Sequence, residues 1–146
     1  MLRILLVLSL IVAVCGCTAP RMTAPENARM YYPNASRRLG ETGRIVLRFS
    51  IGPDGKVSGP ILHDDPVIVD LGRSQDREGP ARRLIEAAER YISKATFDVR
   101  GVHKRHLVAS VVFEMEPCGK VKDRRTYDYA ILICGEQPPH VDAVTP

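Results

Sequence analysis

The stretch RIVLRFSIGPDGKV, residues 44–57, restricts what this chain can fold into more than any other. Ile45, Leu47, Phe49 and Ile51 alternate with Arg44, Val46, Arg48 and Ser50, the two-residue period of a strand with one buried face. In the GPDGKV that follows, Pro53 presets its backbone angle and Gly55 supplies a positive φ, so a hairpin into a second strand at Lys56–Leu62 is expected. Pro60 cannot donate to a ladder, which puts that second strand at a sheet edge or gives it a bulge. Further along, Ala81, Leu84, Ile85, Ala88, Tyr91, Ile92 and Ala95 recur at steps of three and four, predicting a helix over residues 80–95 with Pro80 in its first turn. HLVASVVFEM, residues 106–115, alternates Leu107, Ala109, Val111, Phe113 and Met115 against Val108, Ser110, Val112 and Glu114, and reads as a third strand. A helix crossing between strands of an antiparallel sheet gives a compact two-layer α+β domain.

The 146 residues suit one such domain with a leader or a tail. With 45% hydrophobic and 26% charged residues the composition is that of a folded chain. The net charge of +4 is modest, and the paired cations Arg37-Arg38, Arg82-Arg83, Lys104-Arg105 and Arg124-Arg125 are separated by acidic residues. Only five tyrosines and three phenylalanines exist to interleave with them, which argues against a nucleic-acid groove. Residues 63–79 form a turn-rich connection with a short apolar patch, Val67–Val69. His63, Asp64 and Asp65 have no partner set at ligand spacing, so no metal is expected. No nucleophile stands with a base, and His103 and His106 at H-x-x-H spacing on a strand point to opposite faces. The chain reads as a non-enzyme without a cofactor.

The first residues carry a different signal. Arg3 precedes an apolar run from Ile4 to Val14 that is too short for a bilayer span of about 20 residues, the shape of an export signal. Val14-Cys15-Gly16-Cys17 resembles a bacterial lipobox, in which the last cysteine is diacylated before cleavage. That resemblance implies that residues 1–16 are removed and that Cys17 becomes a lipidated first residue. Thr18 is not the aspartate that resembles an inner-membrane retention signal, so the outer membrane, with the protein facing the periplasm, is expected. Residues 17–31 then read as a tether, since they lack apolar periodicity. A soluble secreted protein cut near Ala19 is the alternative.

Taken as a run, YPNASRRLGETGRIVLRFSIGPDGKV resembles the C-terminal domain of TonB, with Tyr32-Pro33, a short helix, Gly43 entering the first strand and the PDG turn followed by Lys56-Val57. The likeness covers about residues 32–116. It implies an antiparallel sheet of three strands, the first central, with two helices on one face, to which this chain adds a C-terminal extension strand read from its own residues. It also implies a protein-binding role by strand addition, in which the third-strand edge takes an extended, TonB-box-like peptide of an envelope or TonB-dependent transport protein. Carried over, the contacts are the backbone of Leu107, Val108, Ala109, Ser110, Val111, Val112 and Phe113. A TolA-like module resembles the same fold. Dimerisation stays open.

Residues 117–146 extend beyond the likeness, and in them TYDYAILIC, residues 126–134, is apolar enough for a strand. In an oxidising periplasm Cys118 and Cys134 read as a disulfide. A tight antiparallel hairpin of this strand on residues 106–116 would put Cys134 opposite about residue 110, beyond the roughly 7 Å between Cα atoms that a disulfide spans. Hairpin and bridge therefore exclude each other. If the bridge forms, residues 119–125 must travel back so that the tail returns beside Cys118, stapling it where it covers or reshapes the third-strand edge. The alternative function is then a structural envelope lipoprotein whose peptide edge is covered by its own tail.

Overall fold

Strand β2, Thr42–Ile51, is the centre of the molecule. It is flanked in the computed structural model, which describes residues 18–119 and 127–136, by antiparallel neighbours on both sides. The leader with Cys15 and Cys17 lies outside the described residues. In chain order the elements are β1 Arg21–Thr23, a 3-10 turn Ala28–Tyr31, α1 Asn34–Leu39, β2, β3 Val57–Leu62, β4 Val67–Asp70, α2 Glu78–Lys94, β5 Thr96–Asp98, β6 His106–Met115 and β7 Tyr129–Gly135.

The alternation in β2 works as its sequence demands. Ile45, Leu47, Phe49 and Ile51 are buried against α2, which contributes Leu84, Ala87, Ala88, Tyr91 and Ile92 to the same core. From the other side of β2 come Leu107, Ala109, Val111 and Phe113 of β6, all buried. One helix-covered core therefore serves the domain. Val46, expected on the wet face, is also buried.

The hairpin closes at the expected turn: Gly55 N donates to Gly52 O at 3.0 Å, and the Asp54 carboxylate accepts from Lys56 N at 3.1 Å. Gly55 sits at φ +77°, and a Cβ there would lie 2.1 Å from the Phe97 carbonyl oxygen. Phe97 N also donates to Gly55 O, so β5 is pinned to this turn. Gly55→Ala is accordingly expected to cost more than the ~1–2 kcal/mol of a left-handed alanine, because the β5 backbone has to retreat. An unchanged urea midpoint would contradict this. Beyond the turn, β3 lies at one end of the sheet with a register irregularity between Arg48 and Ser50, so Pro60 has both of its expected accommodations.

The sheet departs from three antiparallel strands. It has five, in the order β3-β2-β6-β7 with β4 also paired to β2. The apolar patch Val67–Val69 belongs to β4, which pairs Gly43 with Ile68 and continues the β3 edge past the bend at residues 63–66. Ile68 joins the core, whereas Val69 is exposed. A four-residue strand is too short to announce itself by period. The rest of this insert is anchored by Glu41, whose side chain is wholly buried and accepts from Arg83 Nε at 3.1 Å, from Arg83 Nη2 and from the Ser74 hydroxyl. Burial alone would push this carboxyl up; the hydrogen bonds and the Arg83 charge outweigh it and hold it below its ordinary value.

The expected tether is corrected as well. β1 pairs with β5 in a separate two-stranded sheet, Arg21 opposite Asp98. Pro20 is buried, and Ala19, Met22, Ala28 and Tyr31 pack against the core. Apolar residues at irregular spacing produced this docking, and irregular spacing carries no periodic signal.

Candidate docking edge

β6 is the strand whose backbone, at Leu107–Phe113, was expected to receive a partner. Its odd-numbered residues face β2: Ile51 N donates to Arg105 O, and the pairs from Gly43↔Phe113 to Ser50↔His106 follow in unbroken register. The even-numbered amides face the other way, since peptide groups alternate along a strand. There they meet β7, which runs parallel to β6 from Ala109↔Tyr129 to Met115↔Gly135. Glu116 N donates to Gly135 O at one end. At the other, Asp128 N donates to Val108 O while the Asp128 carboxylate accepts from Val108 N at 2.8 Å. The expected partner-binding backbone is thus already paired on both sides.

The parallel direction explains the cysteines. Parallel neighbours start from the same end of the sheet, so β7 begins beside the start of β6 and returns alongside it. That return brings Cys134 beside Cys118, and the two form a disulfide with a Cα separation of 6.1 Å. An antiparallel tail would have kept them apart.

β7 is held by its side chains too. Ile133 is fully buried and Ile131 nearly so. Tyr129 lies against Phe49 and Phe97 with ring centroids 6.3 and 5.4 Å away, and its hydroxyl donates to Pro20 O at 2.6 Å. Burial, then the Asp128 charge, pushes its phenol well above the ordinary value. At the far end Gly135 passes under Tyr32, where a Cβ would lie 2.8 Å from the ring. Tyr32 packs edge-on against Phe113, and Arg29 pairs with Glu136. Two buried isoleucines contribute roughly 3–6 kcal/mol and the bridge about 3 kcal/mol. Their sum rivals the ~5–15 kcal/mol of a whole domain, so β7 is a constituent of the fold and not a flap over β6.

The two ends of the sheet are guarded differently. The β3–β4 end carries Gly59, Pro60, a bend with Asp64, Asp65 and Pro66, and a register irregularity, all of which discourage added strands. β7, YAILICG, has neither charge nor proline. It ends the sheet among the described residues. Because Gly135 O faces β6, the period of two turns the backbone groups of Ala130, Leu132 and Cys134 to the outer edge.

Other candidates are scattered. His103 precedes β6 and His106 begins it, so they do not form a pair on one strand. His106 Nδ1 lies 2.9 Å from Ser50 Oγ, a contact made by the β2–β6 register that sequence reading missed. Among the described residues no carboxylate orients that ring for nucleophilic chemistry. Asp64 accepts from the Tyr127 hydroxyl at 3.4 Å. No group of three or more metal-binding side chains occurs among the described residues, and no helix there is long and apolar enough to cross a membrane.

No curated protein and no solved structure matches the chain. Residues 28–64 match the family model described as Gram-negative bacterial TonB protein C-terminal. The match runs from the 3-10 turn through α1, β2 and β3. That family is one of non-enzymatic protein-interaction modules and points to the bacterial cell envelope. The matched elements are those on which the rest of the sheet is laid, and over residues 28–64 the chain is similar to the TonB C-terminal domain.

Proposed function

We propose that this chain is a lipoprotein of the bacterial envelope, anchored in the outer membrane through acylated Cys17 and facing the periplasm. It takes up an extended, TonB-box-like segment of another envelope protein by strand addition, and the accepting edge is β7 in place of β6. The supporting observation is the outer edge of β7 at Ala130, Leu132 and Cys134, which no strand among the described residues pairs, in a sheet whose other end is protected. An unprotected apolar edge is a template for one more strand. A role in TonB-dependent transport or as an accessory of an envelope complex fits this chemistry equally.

A second reading is favoured by the disulfide and the two buried isoleucines: a structural envelope protein in which the tail permanently fills the peptide edge. Backbone amide shifts separate the two when oxidised residues 17–146 are titrated with peptides copied from the N-terminal segments of the host's outer-membrane receptors. Saturable shifts at Ala130, Leu132 and Cys134, with β6 undisturbed, are expected. Shifts along Leu107–Phe113 with loss of the β7 signals would overturn the β7 edge, and silence throughout would leave the structural role.

A further inference from the structure

We propose that one end of the domain, built from β1, β5, the Gly52–Lys56 turn and the 99–105 loop, rests on the headgroups of an anionic bilayer. The proposal deepens the lipid-anchored reading and rests on it. Its starting point is the absence of slack: Pro20 is buried, its carbonyl is held by Tyr129, and β1 is paired to β5. From Cys17 to Pro20 the chain spans at most about 10 Å. A lipid on Cys17 therefore holds this end within about one Debye length of the membrane surface, ~8–10 Å at physiological salt.

The charge at that end suits such a neighbour. Arg100 pairs with Asp98 at 2.7 Å and Lys104 with Asp128 at 2.6 Å, which neutralises both carboxylates. Arg21, Lys56 and Lys94, all exposed, and the half-buried Arg105 remain, against Asp54. Lys56 bridges to Thr96, and Lys94 ends α2 just before β5, so the three exposed cations share one surface. At the opposite end Asp70, Asp76, Glu78, Glu114, Glu116 and Glu136 balance the arginines. Each cation near an anionic surface strengthens association about five-fold.

The test uses mature residues 17–146, in which Cys17 is the one cysteine outside the disulfide, coupled to a maleimide lipid in nanodiscs doped with a gadolinium headgroup lipid. With phosphatidylglycerol present, amides of residues 52–56 and 96–105 are expected to broaden while those of 37–41 and 70–76 stay sharp. The contrast should fade in high salt and in the triple variant Arg21→Gln, Lys56→Gln, Lys94→Gln, whose unchanged amide spectrum in solution would certify its fold. Equal broadening at both ends, or the same pattern in the triple variant and in pure phosphatidylcholine, would overturn the proposal. Palmitate labelling in the host separates the two levels: label on the wild type and not on Cys17→Ala, with even broadening, sinks the surface and spares the anchor. Absence of label sinks the anchor and this proposal with it.

Discussion

Truncation before Tyr129 is expected to remove most of the domain's stability, on the order of 6–9 kcal/mol from two buried isoleucines and the bridge together. The double variant Cys118→Ser, Cys134→Ser removes only the covalent constraint and should lose about 3 kcal/mol, because β7 still packs through Ile131, Ile133 and Tyr129. Ile133→Ala should cost about 2–5 kcal/mol, less than truncation, because it leaves a cavity at a fully buried site. Urea unfolding of the oxidised chain measures all three. A truncated chain that unfolds within about 2 kcal/mol of the intact one would mean that the tail is an accessory and that β6 is available to partners.

Arg83→Ala is expected to cost about 3–5 kcal/mol, since it strands the Glu41 carboxylate without its charged partner. Glu41→Gln should cost less: it keeps the shape, and the amide oxygen can still accept from Arg83. The pair also sets an acid limit. Glu41 titrates lower in the folded than in the unfolded chain, so its contribution is complete above the unfolded carboxylate pKa of about 4.3. It is lost as the pH falls through the depressed folded value. Stability of the wild type should therefore drop more steeply below about pH 4.5 than that of Glu41→Gln. Parallel curves for the two proteins would show that this carboxylate gains nothing from its pocket.

Both predictions concern parts of the fold that differ in how openly the sequence displays them. The β2 strand, its Pro53-Gly55 turn, α2 and β6 were legible because eight or more residues repeat one period and end on residues that stop it. Elements of three or four residues were not: β1, β4 and β5 owe their existence to pairing with an already formed neighbour, and nothing in RMT, VIVD or TFD compels a strand alone. Glu41 is a single carboxylate before a strand, indistinguishable in sequence from a solvated one until Arg83 and Ser74 arrive from elsewhere in the chain. The path of the tail was half legible. The spacing of Cys118 and Cys134 ruled out an antiparallel return if they bridged, and the parallel β7 is the geometry that remained. Which edge a partner meets depended on that choice, and a resemblance confined to the domain before residue 117 could point only to β6.

Whether β6 is an interior strand is tested directly by native-state amide hydrogen exchange of the oxidised protein. The amides of Leu107, Ala109, Val111 and Phe113 face β2 in any arrangement, whereas those of Ser110, Val112 and Glu114 are satisfied only by β7. With β7 in place, Ser110, Val112 and Glu114 should exchange as slowly as their odd-numbered neighbours. Fast exchange at those three alongside slow exchange at the others would show an open β6 edge and contradict the central claim.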